Sequence, residues 1–471
     1  MDLSSFRKNR TIILLLLPAI TAFIVALIPT LNYQWPMSWD IYYHIHLAKL
    51  YLEQGIVFWD PLTYAPYGRP IYYPPLFHFI LASLSYIFKA DPFQVARFLQ
   101  PILAFSVVLS VSYVGYRLYG LSVGVLSGFF IFYTMLFHRA LLPIPETLAM
   151  VFLPLSVYYY YHSSKVHDYR YAVLAGILCG MTLLTHTLSA SILALIIVLC
   201  TIILKYRSKK SVSKYFAVFW VVALIIASLW WAPLLLKYGF VFHNPQTTLL
   251  NPYGYLITLF KTFGVLTLVF ALMGVFLLIK RRQEKDVIIL SWILSLLIIS
   301  NAYLLGFQIL IDRILNFAIF PAVIAAALAV TYMETRLDRK WYRVLVSLLV
   351  IGALIFAFTS AVTLKPLVSS PQQDVAEWFK TNGDKTKVVV SLSNGTDPVI
   401  VSISRQPVST GGYQPGMVNV IDMEKYYFRT YQKSDLVNDN VGYFVIDWGN
   451  APPYSEVVYE SKGYKICKVE L

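Results

Sequence analysis

Long apolar runs alternate along this chain with short clusters of Lys and Arg. An apolar run of about 20 residues is long enough to cross the hydrocarbon core of a bilayer as a helix. The first such run, about Thr11 to Leu31, follows Arg7, Lys8 and Arg10, and no small-residue cleavage site comes after it. It reads as a signal anchor with its N-terminus inside. Further runs fall at about 96–116, 121–137, 147–161, 171–204 (a tight pair of helices), 215–236, 255–279, 287–304, 314–332 and 344–364. The strong basic clusters are Lys165 with Arg170, then Lys205, Arg207, Lys209, Lys210 and Lys214, then Lys280, Arg281, Arg282 and Lys285, and last Arg336, Arg339, Lys340 and Arg343.

One further run, Leu76–Phe88, reaches only about half to two-thirds of a spanning length. If it does not cross, every strong basic cluster falls on the N-terminal side of the membrane; if it crosses, every later cluster falls outside. The positive-inside rule therefore predicts about eleven transmembrane helices, with Leu76–Phe88 interfacial or re-entrant. The N-terminus is then cytoplasmic, and a large first outer loop spans residues 32–95.

The pattern changes near Lys365. The segment QQDVAEWFK has helical periodicity, while Val388–Ser391, Val441–Ile446 and Ile466–Val469 are β-rich, with Asn382-Gly383, Asn394-Gly395 and Gly411-Gly412 as turn signals. The chain thus reads as a polytopic α-helical membrane domain over residues 1–364 and an extracytoplasmic α/β domain over residues 365–471.

Composition agrees with this reading. Of 471 residues, 58% are hydrophobic and 13% charged. The net charge of +14 sits in the loop clusters, so it is no nucleic-acid signature. Cys179, Cys200 and Cys467 supply no disulfide framework. No Walker loop, dinucleotide glycine motif, HExxH or CxxC pair is present, which leaves a nucleotide-driven pump without support.

Four polar groups fall on the outer side. The first loop carries Asp40-x-x-x-His44-x-His46; in a helix Asp40 and His44 lie one turn apart on one face. Asp40 is then either a metal ligand or a carboxylate that polarises a hydroxyl, or else an N-cap. The same loop holds Asp60, Arg69, Tyr72, Tyr73 and His78 in an aromatic- and proline-rich stretch; Arg69 either contacts a phosphate or snorkels. Glu146, in HRALLPIPETL, is either a ligand or an acid favoured by a helix N-terminus, with His138 and Arg139 as candidate partners. Arg313 opens an apolar helix, where it binds phosphate or pairs with Asp312. His186, at an outer turn, reads as structural or cavity-lining.

An acid soon after the first helix, then Asp60-Pro61, then YYPPLFH, resembles the integral membrane glycosyltransferases of the GT-C superfamily, and most of all the catalytic subunit of archaeal oligosaccharyltransferase. The resemblance implies a GT-C-like fold and sugar transfer, with inversion, from a polyprenyl-phosphate or diphosphate carrier. It makes Asp40 the catalytic acid. Arg313, with Arg69, becomes the donor-phosphate ligand; His78, Tyr72, Tyr73, His138 and Arg139 line the substrate. A divalent metal, Mg or Mn, held by Asp40, Glu146 and His44 stays open: the family's second-loop motif is acid-x-Glu, and here Ile144 stands where the first acid belongs.

The family's WWDYG motif, which reads the Ser or Thr of a glycosylation sequon, is replaced by Ser393-Asn394-Gly395-Thr396-Asp397. The resemblance therefore points to a lipid-linked glycan, another lipid or a protein hydroxyl as acceptor, with membrane lipids and a polyprenyl-phosphate-linked sugar as partners and no nucleic acid. A non-enzymatic transporter or flippase is the rival class. Transporters favour midplane charges and repeated halves, whereas here the polar residues crowd one side and no repeat is evident. A relative that has lost activity is the third reading.

Overall fold

The computed structural model describes residues 3–208, 212–240, 252–306, 310–393, 395–412 and 419–470. Lys209 and Lys210 of the basic cluster and Asn394 of an expected turn lie outside the described residues. The chain forms two compact units.

The first unit comprises Met1–Gln34, Phe98–Trp230 and Pro245–Leu364, and it is built of helices. Among the described residues of the chain, six helices are long and apolar enough to cross a membrane: Asn9–Asn32, Pro92–Tyr119, Thr187–Arg207, Ser213–Tyr238, Ile311–Met333 and Arg339–Thr363. A seventh candidate is a pair, Tyr253–Phe263 and Val265–Arg281, bent by 96°. The sequence pattern predicts one continuous helix there. Gly264 breaks it: its φ is +68°, and a Cβ at this position would lie 2.4 Å from the Tyr133 carbonyl oxygen, so both the backbone and the packing require glycine. Leu121–Ile131, Tyr169–Leu183 and Asp286–Ser300 are apolar helices of 11, 15 and 15 residues. Length and apolarity thus give six or seven spans, where the distribution of basic clusters predicts eleven.

The helix Ile311–Met333 is the centre of this unit. It is apolar all round, and 89% of its hydrophobic stretch is buried inside the protein, as expected of a helix with no polar face. It packs against Val265–Arg281, Leu121–Ile131 and Asp286–Ser300, with Trp292 stacked on Phe320 at 5.9 Å. The approach is tightest at Gly274, where a Cβ would lie 1.9 Å from the Ala325 carbonyl oxygen. Small residues allow helix backbones to meet this closely. Large apolar side chains such as Ile13, Leu229, Phe276 and Leu348 stay exposed on the spanning helices, which suits contact with lipid.

The second unit comprises Trp35–Arg97, Trp231–Asn244 and Lys365–Leu471. The first loop and the tail therefore fold together. The loop supplies the helix Asp40–Gln54, a small antiparallel pair (Trp59–Asp60 with Arg69–Pro70) and the helix Leu76–Phe88. The tail supplies a four-stranded sheet in the order Val388–Ser391, Val441–Ile446, Tyr464–Val469, Ser455–Ser461, parallel at the first pairing and antiparallel at the others. The helix Ser370–Asn382 packs on this sheet, and the helix Asp397–Ser404 packs on Asp40–Gln54. Val408 joins loop to sheet: it bridges Thr63 on one side and Val389 on the other.

A polar chain, buried at Asp60 and His46 and open to solvent at Glu53, braces the joint. Asp60, with no solvent exposure, accepts hydrogen bonds from Leu62 N at 3.0 Å, Thr63 Oγ1 at 2.6 Å and His46 Nε2 at 2.9 Å. Arg405, just past the C-terminus of Asp397–Ser404, donates to His46 Nδ1 at 2.6 Å and to Glu53 Oε2 at 2.6 Å. Because a guanidinium only donates, Nδ1 of His46 is the acceptor and Nε2 carries the proton given to Asp60. Burial alone would raise the Asp60 carboxyl; His46, Arg69 and Thr63 reverse this and hold it below the usual carboxylate range.

Two stability predictions follow from this packing. Gly274→Val forces apart two helices whose backbones touch, and is expected to destabilise the protein by about 1–3 kcal/mol. The thermal midpoint in detergent should fall, and by less for Gly274→Ala. An unchanged midpoint in both variants would mean that this crossing is not tight. Asp60→Asn removes the charge on which the brace converges, at an expected cost of about 3–5 kcal/mol; chemical denaturation read by tryptophan fluorescence measures it, and a cost within experimental error would show the brace to be dispensable.

Candidate functional site

In the first unit a cluster of charged groups is assembled from separate helices. The short helix Met135–Ala140 carries His138 and Arg139, and after a loop the helix Pro145–Val166 begins with Pro145 and Glu146 in its first turn. Proline fits a first helical position, and an acid there is favoured by the helix dipole. Thr147 Oγ1 donates to the Leu142 carbonyl at 2.7 Å and to that of Arg139 at 3.0 Å, which closes the loop and turns Arg139 towards Glu146. The two form an ion pair in which Arg139 donates to Glu146 Oε2. Glu146 is only 3% exposed, and its second oxygen, Oε1, accepts no hydrogen bond among the described residues.

His186 and Arg313 complete the cluster. Both act electrostatically on Glu146, along with Arg139. His186 lies in the turn between Tyr169–Leu183 and Thr187–Ser208, and its Nδ1 accepts from the Ser189 amide at 3.3 Å and meets Ser189 Oγ at 2.7 Å. Nδ1 is therefore unprotonated, and in the neutral ring the proton sits on Nε2. Burial above all pulls the His186 imidazole down to about 4, with Arg313 and Arg139 adding to the effect and Glu146 opposing it. Arg313 stands in the first turn of Ile311–Met333, where a cation opposes the helix dipole, so helix stability does not account for it. Among the described residues its side chain makes no ion pair with Asp312 or with any other acid. His138 does not join the cluster, and its Nε2 instead meets Ser360 Oγ at 3.3 Å.

In the second unit Asp40 is the first residue of the helix Asp40–Gln54. Its amide donates to Ser38 Oγ at 3.2 Å, and the preceding Trp39 donates from Nε1 to the Gly395 carbonyl at 2.6 Å. The N-cap position belongs to Trp39, so the carboxylate of Asp40 sits in the first turn. One turn on, His44 Nδ1 meets His78 Nε2 at 2.9 Å, and Tyr73 packs edge-on against the His44 ring at 4.6 Å. Tyr72 donates its hydroxyl hydrogen to the Gly239 carbonyl at 2.9 Å. Arg69 is 1% exposed, held between the rings of Tyr43 and Tyr64, and donates to the Gly411 carbonyl at 2.8 Å. This gives Arg69 a structural task in joining the loop to the tail.

Among the described residues no group of three or more His, Cys, Asp or Glu side chains is arranged to hold a metal ion. His44 directs its Nδ1 to a second histidine, and Glu146 meets a guanidinium. His186 reads from the sequence as structural or cavity-lining, and its place in this cluster is not evident there. The available signal was a histidine between two apolar helices flanked by Thr185, Thr187 and Ser189.

This architecture has solved counterparts. The oligosaccharyltransferase AglB of Archaeoglobus fulgidus superimposes with a TM-score of 0.73 at 15% identity, over 94% of this chain and 70% of that one. ArnT of Cupriavidus metallidurans gives 0.69 at 11% identity over 98% of both chains. The arabinofuranosyltransferase AftD from Mycobacteria gives 0.64 at 13% identity, over 97% of this chain and 40% of that one. All three are GT-C glycosyltransferases, and at these identities the likeness establishes a shared fold. No curated protein matches the chain in sequence. A family profile matches residues 71–366, and the chain accordingly belongs to the family of membrane proteins described as the 6-pyruvoyl-tetrahydropterin synthase related domain.

Proposed function

We propose that this protein is a membrane glycosyltransferase that moves a sugar from a polyprenyl-phosphate or diphosphate carrier to a lipid-linked glycan, lipid or protein acceptor on the outer face of the membrane. The observation that carries the reading is the cluster of two buried groups, Glu146 and His186, with the half-buried Arg139 and Arg313. Arg313, which makes no ion pair among the described residues and acts with Arg139 and His186 on Glu146, is suited to an anionic group. The shared fold supports the class of anion: the A. fulgidus enzyme has been captured with dolichol-phosphate and ArnT with undecaprenyl phosphate. The pterin synthase in the family's description adds no residue to this cluster.

In the proposed reaction Arg313 meets the charge that gathers on the departing phosphate. Asp40 takes the proton of the acceptor hydroxyl, or orients that hydroxyl, for one in-line displacement at the anomeric carbon, which inverts it. The tail carries Ser393, Thr396 and Asp397 in place of a sequon-reading motif, which favours an acceptor other than an Asn-glycosylation sequon. The same reading keeps eleven spans, a cytoplasmic N-terminus and an outer location for residues 365–471 as its topology.

The assay is transfer from a panel of radiolabelled polyprenyl-phosphate and diphosphate sugars to membrane lipid extract by purified protein in liposomes, with and without EDTA. Asp40→Asn is expected to lower the rate by roughly 10²–10⁴, and Arg313→Ala by roughly 10²–10³. Equal transfer by Asp40→Asn would remove Asp40 from the mechanism. Absence of transfer from every donor would overturn the glycosyltransferase reading.

A further inference from the structure

Met37, Ser38 and Trp39 lead the chain into the helix that Asp40 opens, and the tail holds them at two points. Met37 and Ser38 are buried, and the Leu367 amide donates to the Met37 carbonyl at 3.1 Å. The indole Nε1–H of Trp39 donates to the Gly395 carbonyl at 2.6 Å, across 356 residues of sequence. Trp39 occupies the N-cap, where Ser, Thr, Asp and Asn are favoured because their side chains accept from the helix amides. An indole only donates, so capping does not account for Trp39; its hydrogen bond runs to the tail instead. The loop that receives it is itself held from several sides. Ser393 Oγ donates to Asp447 Oδ2 at 2.9 Å, Thr396 Oγ1 to Ser393 Oγ at 3.1 Å and Gln372 Nε2 to Thr396 Oγ1 at 3.4 Å. Asp397 Oδ2 accepts from the Thr410 amide at 3.0 Å, and the helix that Asp397 opens packs on Asp40–Gln54. Gly395 has a φ of +75°, and a Cβ there would lie 3.0 Å from Trp39 Nε1, so backbone and close approach together call for glycine.

We propose that this tail loop positions Asp40 for the reaction, with Trp39 as the positioning residue through which it acts. The proposal rests on Asp40 as the group that takes or orients the acceptor proton. Asp40 is half-buried, and as the first residue of its helix it turns with any change in the direction from which the chain enters. Its carboxylate must stand within hydrogen-bond reach of the acceptor hydroxyl while that oxygen attacks, and a misplacement of about 1 Å costs roughly 10²-fold in rate. The ties at Met37 and Trp39 fix the entry on either side of Ser38, whose Oγ accepts from the Asp40 amide at 3.2 Å. The direction of the helix start is therefore set by tertiary contacts with the tail. Ser393, Gly395 and Thr396 serve the transfer in this way without touching substrate.

A double-mutant cycle on the full chain in liposomes tests this, using the radiolabelled donor that the wild-type protein uses fastest. Trp39→Phe keeps an aromatic ring and loses the N–H; it is expected to lower kcat by about tenfold to a hundredfold, with KM for the donor within about twofold of wild type. In the Asp40→Asn background, where the carboxylate is already gone, the same change should slow the residual transfer by less than about twofold. Gly395→Ala, which keeps the indole and displaces its acceptor, should reproduce the loss in kcat. Equal factors in the two backgrounds would show that Trp39 does not act through Asp40, and a wild-type kcat in Trp39→Phe would show that the tie has no part in transfer. Either result overturns the positioning role and leaves the glycosyltransferase reading standing. Absence of transfer by the wild-type protein overturns that reading, and the positioning role with it. Should neither variant fold, NMR of the wild-type protein labelled with 15N-tryptophan decides. The Trp39 indole N–H should exchange with solvent at least about tenfold more slowly than that of Trp448, which is exposed; exchange as fast as that of Trp448 overturns the proposal.

Discussion

A carboxylate shut away among apolar helices is expensive unless a cation meets it. Glu146 satisfies that condition through Arg139, and much of the local structure of the first unit follows from their meeting. The break after Ala140, the extended Ile144, the proline that opens the next helix and the Thr147 hydroxyl that ties two carbonyls of the loop all serve to turn one side chain towards the other. Replacing such a pair by well-packed apolar residues is often neutral or stabilising. Stability alone is therefore a weak reason for its presence, and Oε1, which accepts no hydrogen bond among the described residues, points the same way. A charged pair of this kind is better understood as part of a site.

The second unit solves a different problem by related means. A long first loop must be held to a tail more than 300 residues later in sequence, and apolar contact alone does not fix orientation. Asp60, His46, Arg405 and Glu53 form a directional chain in which every donor and acceptor role is determined by the guanidinium between His46 and Glu53. Arg69, donating to Gly411 between two tyrosine rings, adds a second tie of the same sort. Both ties run between residues of loop and tail, so the surroundings of Asp40 depend on sequence far from it.

What could be read from the sequence follows from how local each signal is. The strands Val388–Ser391 and Val441–Ile446 are continuous apolar runs and were legible as such. Ser455–Ser461 was not, because it is an edge strand whose side chains are mostly exposed and polar in composition. The bend at Gly264 escaped notice because one glycine inside an apolar run is compatible with a straight helix; only the nearby Tyr133 carbonyl requires it. Arg139 and Glu146 are seven residues apart and could be paired on paper. His186 could not be joined to them, since its partners lie on other helices and no spacing rule connects them. Arg69 illustrates a further case: its bond to the Gly411 carbonyl, more than 300 residues away, leaves no local trace in the sequence.

The fold by itself does not choose a chemistry. AglB, ArnT and AftD share it at 11–15% identity with this chain, and among them are an enzyme that engages a sequon peptide and one named for arabinofuranosyl transfer. Function on a common scaffold is set by local groups, and in a site for an anionic lipid the decisive local property is the number of charges left unneutralised. A helix bundle can present the same outline with an acid that holds a metal or with an acid that holds an arginine. The two differ by about one unit of positive charge at the point where a phosphate would depart, and Coulomb interactions in a partly buried site are strong enough for that difference to matter. Here the acid holds an arginine. The charge of Glu146, out of reach of water, is thus met by a side chain seven residues away in the same chain.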